Sequence, residues 1–210
     1  MRPPDIAVHH VDEHLLVCEK PAGLLAVPGK GEAGRDCLFA RLQAHWPDLE
    51  VVHRLDMATS GLMVFARGKA AQKALSCAFA ERRVHKRYVA VVQGCVRDAG
   101  QWQTIELPLA ADWPRRPRQK IDPLHGKPSL TRYRVLAASA AASQVELEPV
   151  TGRSHQLRVH LLAVGHPILG DTLYAPEACA PRLMLHATRL GLPHPVTASS
   201  LRFDSRAPFC

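Results

Sequence analysis

An α+β fold with a mainly antiparallel sheet is what the order of patterns along this chain predicts. Three observations carry it. Strand-like stretches outnumber helical ones; the second half is nearly all strands, in "WQTIELPL", "LTRYRVL" and "QVELEPV"; and the regular β-α-β alternation of a parallel sheet is missing. The 210 residues, 47% hydrophobic and 22% charged, suffice to bury a sizeable core. No linker divides them, so one domain over residues 1–210 is the simplest organisation.

Each element has its own signal. "HLLVCEKPAGLLAVPG" reads as a strand from Leu15 to Cys18 running into Pro/Gly-punctuated loops, after an unstructured start holding His9, His10 and His14. "DCLFARLQAHW" sets Leu38, Phe39 and Leu42 on one helical face, with Asp36 as N-cap and Pro47 as the stop. "VVHRLD" turns abruptly from apolar to polar, which places Asp56 just past a strand end, with Thr59, Ser60 and Gly61 as a turn. "GLMVFAR" restarts as a buried strand. "KAAQKALSCAFAE" repeats Ala71, Leu75, Ala78 and Phe79 at helical spacing, and "KRYVAVVQG" alternates Tyr88, Ala90 and Val92 as a half-buried strand. "AASAAAS" (137–143) reads as a loop. In "TGRSHQLRVHLLAVGHPILGD" the apolar positions fit period two and a helix equally. Ser154 as N-cap, Gly165 past the end and Pro167 beyond it favour the helix.

Composition narrows the function. The apolar runs fall short of a membrane span, and the N-terminus lacks the apolar core of a signal peptide, so a cytoplasmic protein is expected. The six cysteines form no Cys-x-x-Cys pair and read as reduced thiols. Twelve histidines without a His-Glu-x-x-His pattern give no metal site. The net charge of +8 favours a polyanionic partner, and its distribution sharpens this: "RRVHKR" (82–87) and "RRPRQK" (115–120) each hold four cations, the second beside Trp113. Such clusters suit a groove that follows a phosphate backbone.

"VVHRLDMATSG" (51–61) puts a single acid, Asp56, between an arginine and a turn. A turn-forming aspartate is the plain alternative. A neighbouring guanidinium, however, favours the nucleophilic form of a carboxylate, and Arg54 stands two positions earlier. "HRLDMATSG" resembles the defining His-Arg-Leu-Asp-x-x-Thr-Ser-Gly motif of the RluA family of pseudouridine synthases. The resemblance extends to "EKPAGLLAVPG" (19–29), "HKRYVA" (85–90) and "GRSHQLRVHLLAVGHPILGD" (152–171), in the family's order.

The resemblance implies a mixed, mainly antiparallel sheet with a central catalytic cleft, one catalytic domain over 1–210, and conversion of uridine to pseudouridine in RNA without cofactor or metal. That reaction breaks C1′–N1, turns the captive uracil and joins C1′ to C5. No water is consumed, so the second carboxylate of a hydrolase is not demanded. Asp56 would attack C1′ or take a proton from C2′; the sequence leaves both open. By the same resemblance Tyr88 takes the C5 proton and stacks on the flipped base, and Arg158 pairs with the catalytic aspartate. Arg54 fills the space left by the extruded nucleotide, which offsets part of the lost stacking. Leu157 and Val159, beside Arg158, read first as core, and secondarily one of them packs under the base. His53 holds its loop by hydrogen bonds, and Lys86 and Lys20 are read as phosphate or loop contacts.

Only about fourteen residues precede the first expected strand, so no S4-type domain is expected there. The segment "PLAADWPRRPRQK", with "GKPSLTRY", resembles the compact subgroup of the family, whose members modify a tRNA anticodon stem-loop and large-subunit rRNA. Arg115, Arg116, Arg118 and Lys120 are then RNA contacts, and one site can serve two RNAs of similar loop shape. A monomer is expected. Three rivals stay open: a family member acting on rRNA alone, a non-catalytic RNA-binding module, and a glycosidase built on Asp56.

Overall fold

The computed structural model describes residues 6–97 and 100–209. Cys210 lies outside them. In chain order the elements are β1 (Val8–Val11), β2 (Leu15–Lys20), α1 (Leu38–Gln43), β3 (Leu49–Val51), β4 (Ser60–Arg67), α2 (Gly68–Ala80), β5 (His85–Gln93) and β6 (Gln103–Glu106). They continue with β7 (Leu109–Ala111), β8 (Gln119–Ile121), β9 (Leu130–Ala138), β10 (Ala142–Pro149), α3 (Gln156–Ala163), β11 (Leu185–Pro193) and β12 (Ser200–Asp204). The architecture is α+β, mixed and mainly antiparallel. Two compact units divide it: residues 6–86 with Ala187–Pro208, and Arg87–His186.

In the first unit the strand order is β1-β2-β4-β11, with β3 also on β4 and β12 on β11. β2 and β4 pair antiparallel from Leu15↔Ala66 to Lys20↔Gly61. Almost every residue of β4 is buried, which is why "GLMVFAR" lacks alternation. Helix α2 is rich in good helix formers and lays Ala71, Leu75 and Ala78 into a core with Leu15, Val17, Leu62, Val64, Leu190 and Leu192. Leu75 is wholly buried; truncation to Ala there would cost about 2–5 kcal/mol. Gly61 has φ +113, and a Cβ on it would lie 2.4 Å from the Ala187 carbonyl oxygen. Glycine is therefore required where β4 meets β11.

In the second unit β5, β10, β9 and β6 pair antiparallel in that order, while β7 and β8 form a separate hairpin. Tyr88, Ala90 and Val92 point to the buried face of β5, as their alternation implies. Helix α3 packs on β8, β9 and β10. Its residues from Gln156 to Leu161 are all buried, which removes the one-sided stripe by which a helix is recognised and explains the ambiguous period of this segment.

Several local expectations change. The start holding His9 and His10 is strand β1, which pairs with β2 through a bulge between Val8 and His10. Cys37, not Asp36, caps α1, its Sγ accepting from Ala40 N–H at 3.4 Å; Asp36 instead pairs with Arg41. The N-cap of α3 is His155 in a left-handed conformation (φ 54), not Ser154. The Ala/Ser stretch at 137–143 is mostly strand, because β9 runs to Ala138 and β10 begins at Ala142. Asp56 sits five residues past β3 and its carbonyl closes a turn with Thr59 N–H at 3.1 Å; Ser60 and Gly61 already belong to β4.

Candidate active site

Asp56 lies half-buried in the stretch between β3 and β4, a backbone without strand partners that needs fastening by other means. Lys20 supplies it. Its side chain is fully buried at the end of β2, and Nζ donates to three carbonyls: Pro21 at 2.8 Å, Leu24 at 2.7 Å and Met57 at 2.9 Å. A buried ammonium is tolerated only with such donors spent. The phosphate role read for Lys20 from sequence is thus replaced by its other reading, a loop contact, one that grips the residue following Asp56.

His53 anchors the other end of the same stretch. Its Nε2 accepts from Val64 N–H at 3.0 Å, and its ring stacks on Phe79 with centroids 4.7 Å apart. Burial, helped by the charge of Lys86, pushes its pKa down to about 3, so the neutral acceptor form is held through physiological pH. Lys86, on β5, is itself half-buried, and burial lowers its pKa. Arg54, two residues before Asp56, is exposed.

In the second unit Tyr88 is buried on β5, and Arg158 is buried on α3 with Leu157 and Val159 at its sides. The guanidinium of Arg158 grips Asp171 with two bonds, Nε–Oδ2 at 2.8 Å and Nη2–Oδ1 at 2.6 Å, and both side chains are nearly inaccessible. Asp171 was not singled out from sequence. The available signal was Arg158 itself: an arginine inside an apolar helix needs a carboxylate, and "GD" closes the same motif. Asp171 Oδ1 also accepts from Leu173 and Tyr174 N–H groups at 3.1 Å, which fixes its orientation. Helix α3 is held in turn by Gln156, whose amide donates to Leu130 O and Thr131 Oγ1. His160 adds bonds to Thr131 Oγ1 and Leu107 O at 2.9 Å, with burial lowering its pKa.

The hairpin β7–β8 carries the cationic segment. Trp113 is two-thirds exposed with Arg116 stacked 3.3 Å over its ring, Arg115 pairs with Asp112, and Lys120 pairs with Asp122. Arg118 differs from its neighbours. It is half-buried, and Nε donates to Leu173 O at 2.8 Å with Nη2 bonded to the same oxygen. Cys18, Cys37, Cys77, Cys95 and Cys179 are free thiols. Among the described residues no helix is long and apolar enough to cross a membrane.

Residues 14–163 match the family model described as RNA pseudouridylate synthase. The chain belongs to this family. As an RNA pseudouridine synthase it is an isomerase acting on RNA. The synthase is 50% identical to the "Dual-specificity RNA pseudouridine synthase RluA" of Salmonella typhi, over 98% of this chain and 95% of that protein. The protein of the same name from Escherichia coli K12 is 49% identical over the same shares, and that of Yersinia pestis 48% over 96% and 99%. Among solved structures, human RNA Pseudouridylate Synthase Domain Containing 1 superposes with a TM-score of 0.82 at 30% identity, covering 100% of this chain and 86% of that one. Domain Containing 4 gives 0.80 at 26%, covering 96% and 88%.

Proposed function

We propose that this synthase has dual specificity, making pseudouridine both in a tRNA anticodon stem-loop and in a large-subunit rRNA hairpin, with residues 1–210 serving as one catalytic domain. The observation that carries this is the identity of about half to relatives named for dual specificity, spread over nearly the whole of both chains. The exposed Trp113–Arg116 stack and its flanking cations support an RNA surface outside the reacting residues.

In this reading Asp56 acts on the sugar, at C1′ or by removing the C2′ proton, and C1′–N1 breaks. The uracil turns and C1′–C5 forms. Tyr88 takes the proton from C5, and N1 gains one, so substrate and product are isomers. Arg158 is the third reacting residue of the family resemblance, its own guanidinium oriented by Asp171. Leu157 packs under the base, and Arg54 occupies the space of the flipped nucleotide. Lys86, Arg115, Arg116 and Lys120 meet phosphates. The chain works as a monomer in the cytoplasm, where both RNAs occur.

Site-resolved pseudouridine mapping on total RNA, with and without the gene, tests this. Modification is expected to vanish at one tRNA and one rRNA uridine; a tRNA site that stays modified would leave the rRNA-only reading. Free uracil released from a labelled hairpin would instead mark a glycosidase.

A further inference from the structure

Residues 171–174 form a turn at which two sets of bonds meet. On one side Asp171 holds Arg158 while taking the N–H groups of Leu173 and Tyr174. On the other side the Leu173 carbonyl accepts from Arg118, and the Tyr174 hydroxyl accepts from Gln119 N–H at 2.7 Å. Arg118 and Gln119 form the return leg of the hairpin that carries Trp113, Arg115 and Arg116. The Tyr174 oxygen also lies 2.7 Å from His155 Nδ1, and His155 is the left-handed N-cap of α3, the helix bearing Arg158. The Tyr174 ring faces both guanidinium groups, with Arg158 at 5.0 Å and Arg118 at 5.7 Å from its centroid.

These ties bear on the hairpin's seating. Between it and α3 runs a cleft of about 350 Å³, lined by Arg115, Lys120 and Ile121 above and Val159, Leu162 and Ala163 below. The hairpin therefore rests on α3 through β8 and on the bonds at its base rather than on a continuous packed interface, so losing those bonds changes where it sits.

We propose that the 171–174 turn, through Asp171, Tyr174 and Arg118, is a positioning element that carries the seating of the RNA-facing hairpin to Arg158. This rests on the reading of Arg158 as one of the reacting residues. Arg118 is then an internal strut rather than a phosphate contact. A guanidinium displaced by a fraction of an ångström loses alignment with its target, so loosening the turn slows the reaction without weakening RNA capture.

Asp171→Asn would break a buried ion pair and risk the fold, so the sharper variants are Tyr174→Phe, which keeps the ring and removes only the hydroxyl, and Arg118→Lys. Single-turnover rates are measured at saturating concentrations of the stem-loop found modified by mapping, together with affinity across a salt series. Tyr174→Phe and Arg118→Lys are each expected to slow the rate about tenfold while affinity and salt slope hold. In an Arg158→Lys background they should add little further loss, since coupled residues are not additive. Wild-type rates in both variants beside a slow Arg158→Lys overturn the inference. So does a loss confined to affinity or salt slope, which would return Arg118 to the phosphate-contacting set. Should Arg158→Lys itself turn over normally, the assignment of Arg158 fails, and that failure is distinct.

Discussion

The ammonium of Lys20 lies 2.9 Å from the carbonyl oxygen of Met57, so the residue directly after Asp56 is fastened to the end of β2. Lys20→Met strips three carbonyls of their donor. A stability loss of about 3 kcal/mol is expected, read from the urea midpoint. Single-turnover rates should fall at least about tenfold even where the protein remains folded, because the carboxylate loses its anchor. A folded variant with an unaltered rate would show that the tie to Met57 does not position Asp56.

Asp56→Ala is expected to abolish product while stem-loop affinity stays within about tenfold, since phosphate contacts dominate binding. Tyr88→Phe should impair turnover more than affinity; an unchanged rate would strike Tyr88 from proton transfer at C5.

His53 gives stability a specific pH dependence. Its folded pKa, near 3, lies below the ordinary histidine value of 6.5, so on acidification the unfolded chain takes up a proton that the native site refuses. The contribution is full above about pH 6.5 and is lost as pH falls towards 3, at up to about 1.4 kcal/mol per pH unit. His53→Gln keeps an acceptor for Val64 N–H. Unfolding free energy measured between pH 4 and 6.5 should then vary less steeply than in the wild type, by about one proton. Identical slopes would mean that His53 titrates normally.

Arg115 and Arg116 stand exposed on the β7–β8 hairpin. Changing both to Gln should weaken RNA binding and lower the slope of log K against log salt by about 0.7–0.9 for each phosphate left without its cation. A slope that does not move would take the hairpin out of the interface.

Gly61→Ala drives a methyl against the Ala187 backbone. A loss of about 2 kcal/mol or more is expected in thermal unfolding, because backbone atoms on both sides have little freedom to give way.

The elements that announce themselves in sequence are those with one buried face. Helix α2 and strand β5 show their period because their other faces meet water. Helix α3 is buried all round and hides its period, so only Gly165 and Pro167 give it away. Asp56, Tyr88 and Arg158 were legible as types in motifs. Their supports were not. Nothing local distinguishes a lysine bound for phosphate from Lys20, whose three carbonyls come from two separate loops. Asp171 pairs with an arginine thirteen residues away, and Arg118 reaches a carbonyl fifty-five residues on. Caps follow the same logic. Cys37 and His155 win over Asp36 and Ser154 through neighbouring geometry, which propensity does not encode.

The bulge between Val8 and His10 sits on β1, the outermost strand of its unit. A flat ribbon there would offer a template on which further chains could add, whereas an irregular one spoils the hydrogen-bond spacing that an incoming strand requires. A strand kinked in this way is a poor template for the addition of another strand along that margin.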